Sequence, residues 1–201
     1  MLRSAPPVSS RVEYGRNMSQ LSSICVYCGS SNKVAPHFME AAFQLGRLIG
    51  RAGIELVYGG GRVGLMGRAA DGCLVEGGRV TGIIPRHLSE REVGHRGLGE
   101  LILVDTMHER KFLMEQRSDA FIVLPGGFGT LDEMFEIVTW RQLGLHDKPV
   151  VLVDLAGYWT PLHQLMDGIV AEGFASPAVR DFVTVVEDVE AALPALGRLL
   201  G

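Results

Sequence analysis

Residues 120–138 read AFIVLPGGFGTLDEMFEIV. The apolar run Ala120 to Leu124 leads into a glycine-rich turn, Pro125-Gly126-Gly127-Phe128-Gly129-Thr130, and then into a segment whose Leu131, Met134, Phe135 and Val138 recur at helical spacing. A strand apolar on both faces, a tight turn and an amphipathic helix make half of a βαβ unit.

The same alternation extends in both directions. Strand-like runs are expected at Ser23 to Cys28, Ile54 to Tyr58, Val80 to Ile84, Glu100 to Val104, Ala120 to Leu124, Val150 to Asp154 and Phe182 to Val186. Helical periodicity fills the intervals at Pro36 to Arg51, Gly64 to Glu76, Met107 to Ser118, Thr130 to Leu143, Tyr158 to Glu172 and Asp188 to Leu200. The expectation is an α/β fold, with residues 22–201 forming a single doubly wound, Rossmann-like domain. Its mostly parallel sheet would have about seven strands, covered by helices on both faces. In such sheets ligands sit beyond the carboxyl ends of the strands, so the loops after Cys28, Tyr58, Ile84 and Leu124 define the candidate site. Segment 85–99, rich in charge and glycine, is read as an interruption able to cover that edge.

Composition narrows the field. The chain has 201 residues, is 47% hydrophobic and 21% charged, and carries a net charge of −4. That balance gives no general attraction to nucleic acid or anionic membranes, and no apolar run approaches the ~20 residues of a membrane span. A cytoplasmic protein with neither nucleic-acid nor membrane partners is expected. Residues 1–21 are read as a disordered tail. Its Arg3, Arg11 and Arg16 among Ser and Pro suit a transit peptide, or else translation from a start upstream of Met18.

Cys25, Cys28 and Cys73 are too few for a disulfide scaffold. The C-x-x-C spacing of Cys25 and Cys28 falls in a strand-like run rather than at a helix start, so two small buried side chains are expected instead of a redox pair. The histidines show no ligand spacing, and neither a metal nor a cofactor is expected.

The chemistry concentrates at the first turn quoted. Gly126, Gly127 and Gly129 let a ligand approach the backbone, and the free N–H groups of a helix start attract an anion such as phosphate. Thr130 adds a hydroxyl donor. A second turn, Gly59-Gly60-Gly61-Arg62-Val63-Gly64, lacks the Gly-Lys-Ser/Thr ending of a P-loop, and no acid ends the next strand to hold a dinucleotide ribose. A mononucleotide fits both turns better than NAD or a triphosphate.

Glu133 admits two readings. Thr130-Leu131-Asp132-Glu133 is formally a capping box, in which Glu133 only bonds backbone at the helix start. Alternatively its carboxylate stabilises a cationic sugar whose phosphate is anchored on the same turn. Arg110, in Met107-His108-Glu109-Arg110-Lys111, either clamps phosphate or ribose oxygens or belongs to a solvated charge pair.

Taken together, Tyr58-Gly-Gly-Gly61, Gly64-Leu-Met-Gly67, Met107 to Lys111, Ser118-Asp-Ala-Phe121, Leu124 to Glu133 and Thr139-Trp-Arg-Gln-Leu-Gly144 resemble the Lonely Guy family. Its members are cytokinin riboside 5′-monophosphate phosphoribohydrolases, often labelled lysine decarboxylase-like, and the resemblance runs from about residue 22 to 200. It implies a catalytic pair, Arg110 and Glu133. It also implies substrate contacts at Glu92, Lys111, Gly127, Phe128, Gly129, Thr130, Leu131, Asp132 and Thr139, and a homodimer. Where the family motif often has Tyr and Glu, this chain has Phe128 and Asp132, which keep aromatic and acidic character. Gly59, Gly60 and Gly61 are added as substrate contacts from the second turn.

The implied reaction is hydrolysis of the N-glycosidic bond of an adenosine 5′-monophosphate, with or without an N6-prenyl group, to free base and ribose 5-phosphate. A non-catalytic carrier of a nucleotide-like cofactor is the alternative, since the fold and turn would serve it equally. Lysine decarboxylation is rejected. It needs a lysine suited to a pyridoxal phosphate imine, and neither Lys111 beside Arg110 nor Lys148 in a His-Asp-Lys-Pro turn looks like one.

Overall fold

Seven strands run in one sheet whose order is β4-β3-β2-β1-β5-β6-β7. They are β1 (Ser23–Tyr27), β2 (Glu55–Tyr58), β3 (Val80–Pro85), β4 (Glu100–Val104), β5 (Ala120–Val123), β6 (Val150–Val153) and β7 (Thr184–Val186). The helices are α1 (Pro36–Arg51), α2 (Gly64–Val75), α3 (Arg86–Glu92), α4 (Met107–Gln116), α5 (Phe128–Gln142), α6 (Thr160–Ala171) and α7 (Ala192–Leu199). The computed structural model describes residues 21–92 and 97–201. Every pairing between neighbouring strands is parallel, so the expected α/β, doubly wound sheet is found with its strands wholly rather than mostly parallel.

The two-residue period of a strand divides the core. Ile24, Val26 and Cys28 point with Leu56, Tyr58, Ile122 and Leu124 toward the face covered by α1, α2 and α7. Cys25 and Tyr27 point with Val57, Phe121 and Val123 toward Met114 of α4, Met134 and Ile137 of α5, and Leu162 of α6. Cys25 and Cys28, three positions apart on one extended run, therefore face opposite sides of the sheet. Both are free and buried, and burial pushes both thiols well above the usual range, which removes any redox pairing.

The strand order reverses at β1, which lies between β2 and β5. Tyr27 is in register with Val123, so the loops leaving β1 and β5 emerge side by side. They are stitched by the Gly29 N–H, which donates to the Pro125 carbonyl at 3.0 Å. This crevice at the reversal is where a doubly wound sheet takes its ligand. At the opposite end of the same two strands, one oxygen of Asp119 accepts from the backbone N–H and hydroxyl of both Ser22 and Ser23.

The elements depart from the sequence reading in a few places. Segment 85–99, read as an interruption, contains α3. α5 starts at Phe128 rather than Thr130, because the glycine turn itself supplies the first helical residues. α6 starts at Thr160 rather than Tyr158, after a single 3-10 turn at Leu155–Gly157. Leu21, placed in the disordered tail, is buried in the core, while residues 1–20 lie outside the described residues. Among the described residues no helix is long and apolar enough to cross a membrane.

Candidate active site

The glycine turn after β5 is shaped by close packing below and openness above. A Cβ on Gly126 would stand 2.1 Å from Thr130 Oγ1 and 2.9 Å from the Gly29 amide, so only glycine lets the two loops touch. Gly127 caps α5 with no side chain bonded to it, and the first intrahelical bond runs from the Leu131 N–H to the Gly127 carbonyl at 3.0 Å. The amides of Phe128, Gly129 and Thr130 therefore precede the helical ladder, and with the positive end of the helix dipole they face an incoming anion. Gly127, Phe128 and Gly129 are exposed, whereas Thr130 is buried against the turn.

The other glycine turn is built differently. Gly59, Gly60 and Gly61 are all buried. At the start of α2 the Gly64 N–H is taken by Asn32 Oδ1 at 2.8 Å and the Leu65 N–H by the Gly29 carbonyl at 2.9 Å. That helix start is closed by the protein itself.

With α5 beginning at Phe128, Glu133 lies in the second turn of the helix, and Thr130 is not its cap. The capping-box reading of Glu133 thus fails. A reciprocal cap exists instead at the start of α4, where Thr106 Oγ1 accepts from the Glu109 N–H and Glu109 Oε2 accepts from the Asp105 N–H. It fixes the helix that carries Arg110 and Lys111.

Arg110 leaves α4 toward β3 and the loop after β2. Its Nε donates to the Ile83 carbonyl at 3.1 Å and Nη2 points to the Gly59 carbonyl at 3.5 Å. Nη1 lies 3.0 Å from Glu133 Oε1, both side chains being about nine-tenths buried, at 10% and 9% exposure. The pair is not the solvated one considered from sequence. Burial pushes the Glu133 carboxyl up to about 7, against the pull of the Arg110 guanidinium; Asp132 pushes the same way as burial and Lys111 the same way as Arg110. The result is a carboxylate poised to exchange a proton near neutrality.

Lys111 does not face the turn as a free cation. Its Nζ binds Asp132 Oδ2 and Glu136 Oε1, each at 3.0 Å. Burial would draw its pKa down, but these bonds outweigh it and hold the amine above its ordinary range. Lys111 and Asp132 thereby clamp α4 to α5 and keep Arg110 opposite Glu133. Leu131 packs into the core on the same side.

Thr139 is exposed on α5, nine residues beyond Thr130, about 14 Å along the axis at helical rise, and so is not brought to the turn. Glu92 ends α3, and its side chain lies outside the described residues. Two contributors went unread in the sequence: Asn32, in the loop after β1, and Tyr158, whose hydroxyl donates to the Gly126 carbonyl.

The lysines do not fit a pyridoxal phosphate imine. Lys111 is held protonated, Lys148 is bonded to the Glu115 carboxylate at 2.6 Å, and Lys33 is exposed.

Fold and site together define a doubly wound α/β protein with a buried acid–guanidinium pair behind a helix start open to an anion. A family model described as "Possible lysine decarboxylase" matches residues 66–196. A cytokinin riboside 5′-monophosphate phosphoribohydrolase of Rhodococcoides fascians is 45% identical over 87% of this chain and 88% of its own. One from Arabidopsis thaliana is 47% identical over 82% of this chain and 76% of its own. The chain belongs to this family, the Lonely Guy phosphoribohydrolases. Among solved structures, the molybdenum cofactor binding protein of Rippkaea orientalis superposes with a TM-score of 0.68 at 23% identity, covering 90% of this chain and 98% of that one, a likeness of fold.

A Cβ on Gly59 would fall 1.9 Å from Arg110 Nη2 and 3.2 Å from Met66 Sδ. Gly59→Ala is expected to push the guanidinium off Glu133 and destabilise the protein by about 3 kcal/mol, the scale of a broken buried ion pair. Urea unfolding should register that loss, and the loss should shrink in a Glu133→Gln background, where the ion pair is already broken. Equal losses in both backgrounds would show that Gly59 acts on something other than the pair.

Proposed function

We propose that this chain hydrolyses the N-glycosidic bond of a nucleoside 5′-monophosphate of the adenine type, releasing the base and ribose 5-phosphate. The buried Arg110–Glu133 pair directly behind the Gly126–Thr130 turn carries this reading, and the activity named for the relatives from Rhodococcoides fascians and Arabidopsis thaliana agrees with it.

The substrate phosphate binds the amides at the start of α5, with Thr130 at the base of the turn. Anchoring there places the ribose near the second helical turn, where Glu133 projects. As the C1′–N bond breaks, its electron pair leaves with the base and positive charge develops on the sugar. The ionised Glu133 stabilises that charge and orients water for attack on C1′; the water supplies one proton, which the departing base takes up. Arg110 holds the carboxylate in place and orients the substrate. Gly59 acts through Arg110, as the floor on which its guanidinium rests, and Lys111 and Asp132 act by fixing α4 against α5.

A cofactor carrier would need the turn but has no use for a buried acid near neutrality, so the pair favours catalysis over that alternative. Adenine and its N6-prenylated form are both accommodated by this chemistry, which acts on the sugar.

The active form is proposed to be a homodimer. Phe135 and Trp140 of α5 are only partly buried, and Leu143 and Leu145 just beyond it are 67% and 69% exposed. A substrate contact by Thr139 would then be made across the interface, to the partner's site. Light scattering at micromolar concentration should give twice the chain mass; a fully active monomer would refute the dimer.

AMP should be hydrolysed and adenosine not, because binding energy from the phosphate is spent at the reacting carbon. Since Glu133 works ionised, kcat/KM should fall as pH drops through about 7, where its carboxyl takes up a proton. Equal turnover of AMP and adenosine, or a rate unchanged down to pH 5, contradicts the mechanism.

A further inference from the structure

The phosphate turn contains a peptide that nothing in its own sequence holds still. The bond between Gly126 and Gly127 is flanked by two residues without side chains, and a Cβ at Gly127 would meet nothing within 4 Å. Neither flanking residue has a Cβ to restrict this peptide plane, so its rotation is limited by the packing of Gly126 against Thr130 and Gly29 and not by its own side chains. Its orientation matters, because a peptide presents N–H on one edge and C=O on the other. One orientation offers a phosphate a donor, and the flipped one offers a repelling carbonyl.

One side chain reaches this peptide from another element. Tyr158 donates its hydroxyl to the Gly126 carbonyl at 2.7 Å. No peptide among the described residues is cis, so holding that carbonyl toward Tyr158 aims the Gly127 N–H away from it.

The loop after β6 is built to deliver this tyrosine. Ala156 is the one non-glycine residue with positive φ among the described residues, at 54°, and Gly157 follows at 72°. A left-handed alanine costs on the order of 1 kcal/mol and persists only where the surroundings demand it. The reversal is closed by Asp154 Oδ1, which accepts from the Trp159 N–H at 2.7 Å. The ring of Tyr158 is then gripped edge-on by Phe38 of α1 at 5.6 Å and by Trp159 at 4.8 Å. The loop after β6 thus reaches the loop after β5 at one carbonyl.

We infer that Tyr158 is a positioning residue for the substrate phosphate, acting through the Gly126–Gly127 peptide, which it locks with the Gly127 N–H turned to the anion. This rests on the proposed binding of phosphate at the start of α5, but not on the hydrolysis that follows.

Tyr158→Phe keeps the ring contacts and removes only the lock. Titration of the wild type and the variant with ribose 5-phosphate and, separately, with adenosine isolates the effect. Ribose 5-phosphate should bind about 3- to 10-fold more weakly to the variant, the worth of one hydrogen bond, with adenosine affinity and melting temperature unchanged. For AMP, KM should rise by a similar factor with little change in kcat. Unaltered ribose 5-phosphate affinity, or equal weakening toward both ligands, would overturn the inference. A wild type that binds ribose 5-phosphate and leaves AMP intact would defeat the hydrolytic reading alone. One that does not bind ribose 5-phosphate would defeat both.

Discussion

The site depends on one buried ion pair. Taking Arg110 and Glu133 out of water costs several kcal/mol per ion, and such pairs rarely repay this better than apolar residues of the same size would. The protein holds the guanidinium with the Ile83 and Gly59 carbonyls and removes the side chain at residue 59 to admit it. Even so, Glu133 is left with a carboxyl titrating near 7. An arrangement that keeps an acid close to neutrality, when a hydrophobic contact would serve the core better, is accounted for by chemistry.

The fold supplies the meeting place. Because the strand order reverses at β1, the loops after β1 and β5 lie against each other, and the carbonyl edge of β3 and the loop after β2 receive Arg110 from α4. α5 brings its open N-terminus and Glu133 to the same crevice on a single rigid rod, so the open amides and the carboxylate keep a fixed spacing. Lys111, bonded to Asp132 and Glu136, sets the distance between the two helices that carry the pair. Residues that resemble substrate contacts in the sequence thus divide into those at the open helix start and those that hold the others in register.

The five inner strands were legible because each is a short, almost wholly apolar run between turn residues, which is what burial on both faces requires, and the edge strands β4 and β7, though largely exposed, are short β-like runs as well. The glycine turn after Leu124 was legible for its composition, and Arg110 and Glu133 through the resemblance of their motifs. α3 was not, since a seven-residue helix rich in charge has no apolar period to announce it. The false capping box at Thr130 has a physical origin as well. Thr-x-x-Glu marks a helix start only where the helix begins, and here the glycines had already begun it, while the same pattern at Thr106 to Glu109 is a true cap. Tyr158 stayed hidden because its role is set by a turn 32 residues away, a relation that no local pattern encodes.

The central claim is that Glu133 is charged for catalysis rather than for architecture. It is tested most directly by AMP hydrolysis in Glu133→Gln. The amide oxygen can still accept from Arg110, but the guanidinium loses its buried counter-charge, so the variant should fold with a lower melting temperature, a loss of about 3 kcal/mol. Its kcat should fall by roughly 10²-fold or more, the scale seen when a preorganised electrostatic stabiliser is removed. A folded Glu133→Gln protein turning over AMP at close to the wild-type rate would contradict the account.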